Sequence, residues 1–227
     1  MNAVVYYSNT GQSRSVAEFL SNQLGYALTN IEAVDLEKYE NLVLVFPVHC
    51  QNIPDLVKDF LKKITINNLT IVATYGKMCP GNVLYEIQKK YHKNVVAAAY
   101  VPTKHSYIEE DDVFNDFDKL NLLVDKIKNP STVQLPKRYK NPFANFFPKL
   151  RSIVGLKIVK TEDCNECNIC GKNCSCGAMK NGMTGSNCIR CLKCVENCPN
   201  HALKVQKTFW LKVYLGKKKM NEIIIYV

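Results

Sequence analysis

The cysteine spacing between residues 164 and 199 constrains this chain more than any other feature. Nine of its eleven cysteines fall within 36 residues, in the stretch CNECNICGKNCSCGAMKNGMTGSNCIRCLKCVENCP. Two runs share the spacing C-x2-C-x2-C-x3-C, and they consist of Cys164, Cys167, Cys170 and Cys174, and of Cys188, Cys191, Cys194 and Cys198. Each position of the second run lies 24 residues after its partner in the first. The stretch is therefore an internal repeat.

Thiolates at this spacing are typical of iron–sulfur sites. Three cysteines at x2 intervals can bind three corners of one cubane cluster, and in two-cluster proteins the fourth cysteine of each run binds the other cluster. The spacing thus predicts one [4Fe–4S] cluster on Cys164, Cys167, Cys170 and Cys198, and a second on Cys188, Cys191, Cys194 and Cys174. Two tetrahedral zinc sites are the alternative, although zinc modules usually present C-x2-4-C pairs separated by a longer loop. A ninth thiol, Cys176, has no place in either run.

Residues 164–203 resemble the bacterial two-cluster ferredoxins. The resemblance rests on the two cysteine runs and on Pro199, which follows the last cysteine. The first run departs from the family because Ser175 stands where proline is usual. The resemblance implies one-electron transfer at low potential.

The residues before the cysteines alternate between strand-like and helix-like segments. Short apolar runs at 3–7, 41–48, 69–76 and 94–102 predict strands, and a further short strand is expected near 26–33. Amphipathic segments separate them, and the last one predicts a helix over 111–128. Strands buried on both faces read as continuous apolar runs, so the pattern predicts an α/β fold with a doubly wound parallel sheet.

The loop after the first strand is rich in hydroxyl and amide groups. It contains Ser8, Asn9, Thr10, Gly11, Gln12 and Ser13, directly before a predicted helix. Free N–H groups at a helix N-terminus bind anions, and glycine lets a phosphate approach the backbone closely. An ordinary N-capped turn is the alternative. The loop lacks the G-K-[ST] of a nucleotide-triphosphate loop and the G-x-G-x-x-G of a dinucleotide loop.

The pattern Ser8-x-Thr10-Gly11-x-Ser13 resembles the phosphate loop of the flavodoxins. The resemblance implies a flavodoxin-like five-stranded sheet of order 2-1-3-4-5, with FMN at the carboxyl ends of the strands. It also implies that the loops after the third and fourth strands hold the flavin ring, through Pro47, Val48, His49, Tyr75 and Gly76. Neither loop contains tryptophan, so Tyr75 is the better candidate for stacking on the ring and His49 is the other flat side chain.

Charge is divided unevenly along the chain. Residues 1–128 carry 13 Lys/Arg and 15 Asp/Glu, whereas residues 129–227 carry 17 and 5, a balance of +12. The basic half predicts either compensation of cluster charge or docking of acidic redox partner proteins. No nucleic-acid motif accompanies the charge, and no segment is apolar enough for stable membrane insertion, so neither partner is expected. No secretion signal is visible, and clustered thiols favour a cytoplasmic protein.

The predicted organisation has four parts. A flavodoxin-like, FMN-binding domain spans 1–128, a proline-rich basic linker spans 129–160, a small α+β two-cluster ferredoxin domain spans 161–207, and a basic tail spans 208–227. The whole resembles flavodoxin–ferredoxin fusion proteins, which implies an electron carrier or oxidoreductase that couples two-electron to one-electron partners. The alternatives are a redox or oxygen sensor, and a ferredoxin attached to an empty flavodoxin-like scaffold.

Overall fold

The computed structural model describes residues 1–35, 38–108, 116–145 and 153–227. The chain divides into two compact units. Unit 1 comprises Met1–His105, Glu110–Ala144 and Lys219–Val227, and unit 2 comprises Ser106–Glu109 and Asn145–Lys218. The chain thus leaves unit 1, builds unit 2 and returns to unit 1 for its last nine residues.

Unit 1 contains the predicted five parallel strands. They are β1 (Asn2–Tyr6), β2 (Ala27–Asn30), β3 (Lys38–Pro47), β4 (Thr65–Tyr75) and β5 (Val95–Pro102). Their order is β2-β1-β3-β4-β5, and every neighbouring pair is parallel. The prediction of a flavodoxin-like doubly wound sheet is therefore confirmed.

Helices cover both faces of this sheet. They are α1 (Gln12–Leu24), α2 (Asp55–Lys63), α3 (Val83–Tyr91) and α4 (Asn121–Lys128). One core cluster joins alternate strand residues such as Leu44 and Ile71 to Leu61 and Ile87 of α2 and α3. The other cluster joins the strand residues that point the opposite way to α1 and α4. Because strand side chains alternate between faces, two buried faces require the continuous apolar runs seen in the sequence.

The helix predicted over 111–128 is shorter in the structure. Its regular part is α4, preceded by a 3-10 turn at Asp118–Leu120. Asp116 and Phe117 are not helical, and residues 111–115 lie outside the described residues. Leu120, Leu123, Val124 and Ile127 are buried against the sheet, and Phe117 is partly buried beside them, so packing supports the second half of the predicted helix.

Unit 2 is built around the cysteine repeat. A two-stranded antiparallel sheet pairs β6 (Leu156–Lys160) with β9 (Leu203–Lys207), and a short hairpin pairs β7 (Met179–Lys180) with β8 (Met183–Thr184). Two single-turn helices, α5 (Ile169–Lys172) and α6 (Lys193–Glu196), lie within the two cysteine runs, and α7 (Phe209–Leu215) follows β9. Cys170, Cys188 and Cys194 belong to the small core together with Leu156 and Leu203.

The last strand, β10 (Ile224–Tyr226), was not predicted. It pairs antiparallel with the edge strand β5, with Ile225 opposite Ala99. The segment predicted as a single tail over 208–227 is thus divided, because α7 belongs to unit 2 and β10 belongs to unit 1. Part of the predicted linker, residues 146–152, lies outside the described residues.

Candidate functional site

The first βα loop presents an uncapped helix N-terminus. Gly11 is the N-cap residue of α1, with a left-handed φ of 84°, and within the described part of the chain no side chain caps the first turn. A Cβ built on Gly11 would find no atom of the described residues within 4 Å. The first N–H groups of a helix have no intrahelical partner and carry the positive end of its dipole. This end of α1 is therefore suited to binding an anion.

Two polar atoms of the same loop are buried without a partner. They are Ser8 Oγ and Asn9 Oδ1, which make no hydrogen bond within the described part of the chain. Buried polar atoms normally have partners, and an orphan of this kind marks a place where a ligand or water completes the bonding. The predicted phosphate loop thus fits a polar ligand.

Hydrogen bonds bring the loop to the ends of β3 and β4. Asn9 Nδ2 lies 2.9 Å from His49 Nε2, and Ser13 Oγ lies 2.8 Å from Thr74 Oγ1. The backbone N–H of Val48 donates to the carbonyl oxygen of Thr74 at 2.8 Å. The structure therefore brings together the three segments that the sequence assigned to one site. Thr74 is a member of this network that the sequence analysis missed.

His49 accepts rather than donates in this network. Its ring packs edge-on against Tyr7, with 6.0 Å between the ring centroids. Burial lowers the pKa of His49 to about 4, and the nearby negative charge of Asp55 opposes this effect. The amide nitrogen of Asn9, Nδ2, carries only donors, so Nε2 of a neutral His49 is the acceptor.

Two of the other predicted ring-binding residues, Tyr75 and Gly76, pack against neighbouring residues of unit 1. Tyr75 is only 3 % exposed, packs edge-on against Tyr100 and donates through its hydroxyl to the carbonyl oxygen of Glu222 at 3.4 Å. Burial raises the pKa of Tyr75 to about 12. Its ring is part of the core, which does not support the stacking role predicted for it. A Cβ on Gly76 would lie 2.6 Å from the His105 ring, so glycine is needed there for packing.

The first predicted cluster quartet surrounds one cavity in unit 2. Its lining includes Cys164, Cys167, Cys170 and Cys198, the four residues assigned together from the sequence. The cavity contains about 330 Å³ of space between atoms, part of which is open to solvent. Cys198 belongs to the second run, yet it lines this cavity together with three cysteines of the first run. This arrangement agrees with the prediction that one ligand comes from the other run.

The thiols of the second quartet influence one another's ionisation, and thiols outside the quartet contribute too. Burial raises the pKa of Cys194 to about 12, and the charges of Cys191, Cys188, Cys174 and Cys170 raise it further. Burial likewise raises the pKa of Cys191 to about 11, with a smaller opposing hydrogen bond from the Lys193 backbone. A raised pKa makes a thiol hold its proton more tightly, so iron would have to displace these protons on binding.

The two cysteine runs have the same backbone conformation. Positive φ angles recur at a spacing of 24 residues, at Glu166 (57°) and Arg190 (57°), Asn168 (56°) and Leu192 (64°), and Gly177 (58°) and His201 (48°). The fourth cysteine of each run accepts a hydrogen bond from an alanine four residues later. Ala178 N–H lies 3.2 Å from Cys174 Sγ, and Ala202 N–H lies 3.3 Å from Cys198 Sγ. The repeated alanines seen in the sequence are the signal for these bonds.

Among the described residues, no three His, Cys, Asp or Glu side chains are close enough together to hold a single metal ion.

Models of two protein families match this chain. The "Flavodoxin domain" model matches residues 3–99, and the "4Fe-4S binding domain" model matches residues 186–204. The chain joins a flavodoxin domain to a 4Fe-4S ferredoxin segment. The first cysteine run lies outside the matched residues. These two domains indicate electron transfer, with a flavin and at least one [4Fe–4S] cluster as the cofactors that they suggest.

Solved structures similar to this flavodoxin–ferredoxin chain include two bacterial proteins. One is a Bacteroides uniformis protein proposed to be a flavoprotein, with 14% identity and a TM-score of 0.40, covering 46% of this chain and 91% of its own. The other is two-electron reduced Megasphaera elsdenii flavodoxin, with 15% identity and a TM-score of 0.37, covering 48% and 92%. No curated protein matches the chain. Among the described residues, no helix has the length and apolar character needed to cross a bilayer.

Proposed function

We propose that this chain relays electrons between a bound FMN and two [4Fe–4S] clusters. The observation that carries the proposal is the repeated backbone of the two cysteine runs. The matched family model covers only the second run, but the first run repeats its positive φ angles and its N–H···S bond. A loop that presents thiols in one half of the repeat has an equivalent in the other half. Two equivalent loops support two clusters rather than one.

Each proposed cluster takes three thiolates from one run and one from the other. The first is held by Cys164, Cys167, Cys170 and Cys198, and the second by Cys188, Cys191, Cys194 and Cys174. The backbone N–H groups of Ala178 and Ala202 stabilise negative charge on the two crossing thiolates. Hydrogen bonds to cluster sulfurs are one of the means by which a protein sets reduction potential.

FMN is proposed to bind at the carboxyl ends of β1, β3 and β4. The N-terminus of α1 and the hydroxyls of Ser8, Thr10 and Ser13 would hold the phosphate, with Gly11 leaving room for it. Asn9 and the Pro47–His49 loop would lie on the ring side. A flavin supplies chemistry in which two electrons are accepted together or released singly. The chain's own residues bind and orient it.

The partners are proposed to be acidic redox proteins. Residues 129–227 have a balance of +12, which would raise the rate of encounter with an acidic surface. We propose a cytoplasmic location, in keeping with thiols that have to stay reduced until iron binds. Nucleic acid and stable membrane insertion have no support in motif or pattern.

The test is a cofactor count on protein purified without oxygen. The proposal predicts about one FMN and about eight iron and eight sulfide per chain. About four iron atoms would show that only one run assembles a cluster. Zinc in place of iron would overturn the iron–sulfur assignment, and clusters without FMN would favour the empty-scaffold alternative.

A further inference from the structure

Arg190 is a buried cation inside the second cysteine loop. It stands between Cys188 and Cys191, and only 7 % of its surface is exposed. Its Nε donates to the carbonyl oxygen of Leu156 at 3.1 Å. Its Nη1 is buried and makes no hydrogen bond within the described residues. A buried guanidinium is costly unless negative charge compensates it, so this site calls for an anionic group.

The surrounding chain fixes Arg190 in place. The residue has a left-handed φ of 57°, and the hydroxyl of Tyr107 donates to its carbonyl oxygen at 2.8 Å. The bond to Leu156 holds the side chain against β6, away from solvent. The positive charge is therefore held in the interior of unit 2, on a residue that stands between two of the proposed ligands of the second cluster.

The first cysteine loop has an acid at the equivalent position. Glu166 stands between Cys164 and Cys167, 24 residues before Arg190, with the same φ of 57°. Its side chain is 58% exposed and lies 2.6 Å from Nζ of Lys160. The two loops thus share a backbone but carry opposite charges. The charge in the first loop is compensated and exposed to solvent, whereas the charge in the second is buried.

We infer that Arg190 makes the two clusters unequal, so that the cluster on Cys188, Cys191, Cys194 and Cys174 has the higher reduction potential. This inference rests on the proposed function. Reduction adds one electron to a cluster that is already negative, and a buried positive charge nearby stabilises the added charge. Glu166 opposes reduction in the other loop, but Lys160 and solvent weaken its effect.

The inequality sets a direction for electrons within unit 2. When a single electron is shared, the first cluster gives it up and is oxidised by one electron, and the second accepts it and is reduced by one. No proton or other reactant is needed. The second cluster therefore holds the single electron before that electron passes to a partner.

The test is an anaerobic potentiometric titration followed by EPR. It compares the natural protein with Arg190→Gln, Arg190→Lys and Lys172→Gln. We expect two potentials in the natural protein. Arg190→Gln should lower the higher reduction potential by about 59 mV. For one electron, this corresponds to a tenfold change in the ratio of oxidised to reduced cluster.

The two other variants separate buried charge from general charge. Arg190→Lys keeps the charge and should retain most of the split. Lys172→Gln removes one positive charge from an exposed site between Cys170 and Cys174, where solvent screens it, and should shift either potential much less. Equal effects of Arg190→Gln and Lys172→Gln would overturn the inference, as would equal shifts in both clusters.

Cys174→Ser tests the assignment without altering Arg190. It should remove the higher-potential signal and leave the lower one. Loss of the lower signal instead would show that the order of the clusters is reversed. Failure of the proposed function looks different, because fewer than about eight iron atoms would then be present in the natural protein.

Discussion

Gly11 and Gly25 offer a matched pair of substitutions on one helix. They are the N-cap and C-cap residues of α1, and both are left-handed, with φ angles of 84° and 66°. A Cβ on either would meet no atom of the described residues within 4 Å. Alanine at each position therefore introduces backbone strain without a clash. The left-handed conformation costs about 1–2 kcal/mol for a residue with a Cβ, and we expect both variants to lose about that much stability.

The two variants should differ in FMN binding. The open space around Gly11 is where the proposed phosphate would lie, so Gly11→Ala should also weaken FMN binding by about tenfold or more, equivalent to about 1.4 kcal/mol. Gly25→Ala lies at the far end of the helix and should bind FMN like the natural protein. Fluorescence titration of FMN into apoprotein gives the affinity, and urea unfolding gives the stability. Equal FMN affinities in two folded variants would refute the proposed position of the phosphate.

Three further outcomes follow from the site. Because the folded-state pKa of His49 is depressed, its stabilising contribution is fully present above about pH 6.5 and is lost as pH falls towards 4. Urea unfolding should show a loss on the order of 2 kcal/mol over that range, absent in His49→Gln. Tyr75→Phe should leave FMN affinity unchanged and cost about 1 kcal/mol or less in thermal unfolding, since only one long hydrogen bond is lost. Cys174→Ser should remove about four iron atoms by chemical assay, whereas Cys176→Ser should retain all of them.

Each of these three predictions has an outcome that would contradict it. Identical pH dependence in the natural protein and in His49→Gln would show that another group titrates. Loss of FMN in a stable Tyr75→Phe variant would restore the ring-binding role predicted from the sequence. Loss of iron in Cys176→Ser would mean that the ninth thiol is a ligand.

The fold was predictable where local pattern decides it. Strands such as β3 and β5 are buried on both faces, so their apolar runs are visible in the sequence. The spacing of the cysteines also predicts how each loop presents its thiols, because each ligand loop is short and its residues are close in sequence. Cys198 lines the same cavity as Cys164, Cys167 and Cys170, which agrees with the first quartet predicted from the sequence.

The burial of Tyr75 could have been predicted from strand alternation. Ile71, Ala73 and Tyr75 share one face of β4 and all join the same core cluster. Thr74 points to the opposite face and bonds to Ser13 at the start of α1. Position at the end of a strand favoured a ligand contact, but the period of two places the tyrosine ring in the core.

Other features depend on contacts that no local pattern encodes. Ile225 pairs with Ala99, which lies 126 residues earlier in the chain. Because the partner strand is so distant in sequence, the residues around β10 do not indicate this pairing. Arg190 is one of 30 Lys and Arg residues, and its burial depends on a carbonyl oxygen 34 residues away. A count of charged residues does not distinguish Arg190 from the Lys and Arg residues at the surface.

The return of the chain to β10 has a consequence for how the protein is made. The sheet of unit 1 cannot gain its sixth strand until the whole cysteine repeat has left the ribosome. The cysteine repeat thus lies in a segment that is joined to unit 1 at both ends, and a proteolytic cut within it would leave two fragments that still share one sheet. Deleting residues 219–227 would leave the N–H and C=O groups along the outer edge of β5 unpaired. An edge strand of this kind is open to pairing with strands of other chains.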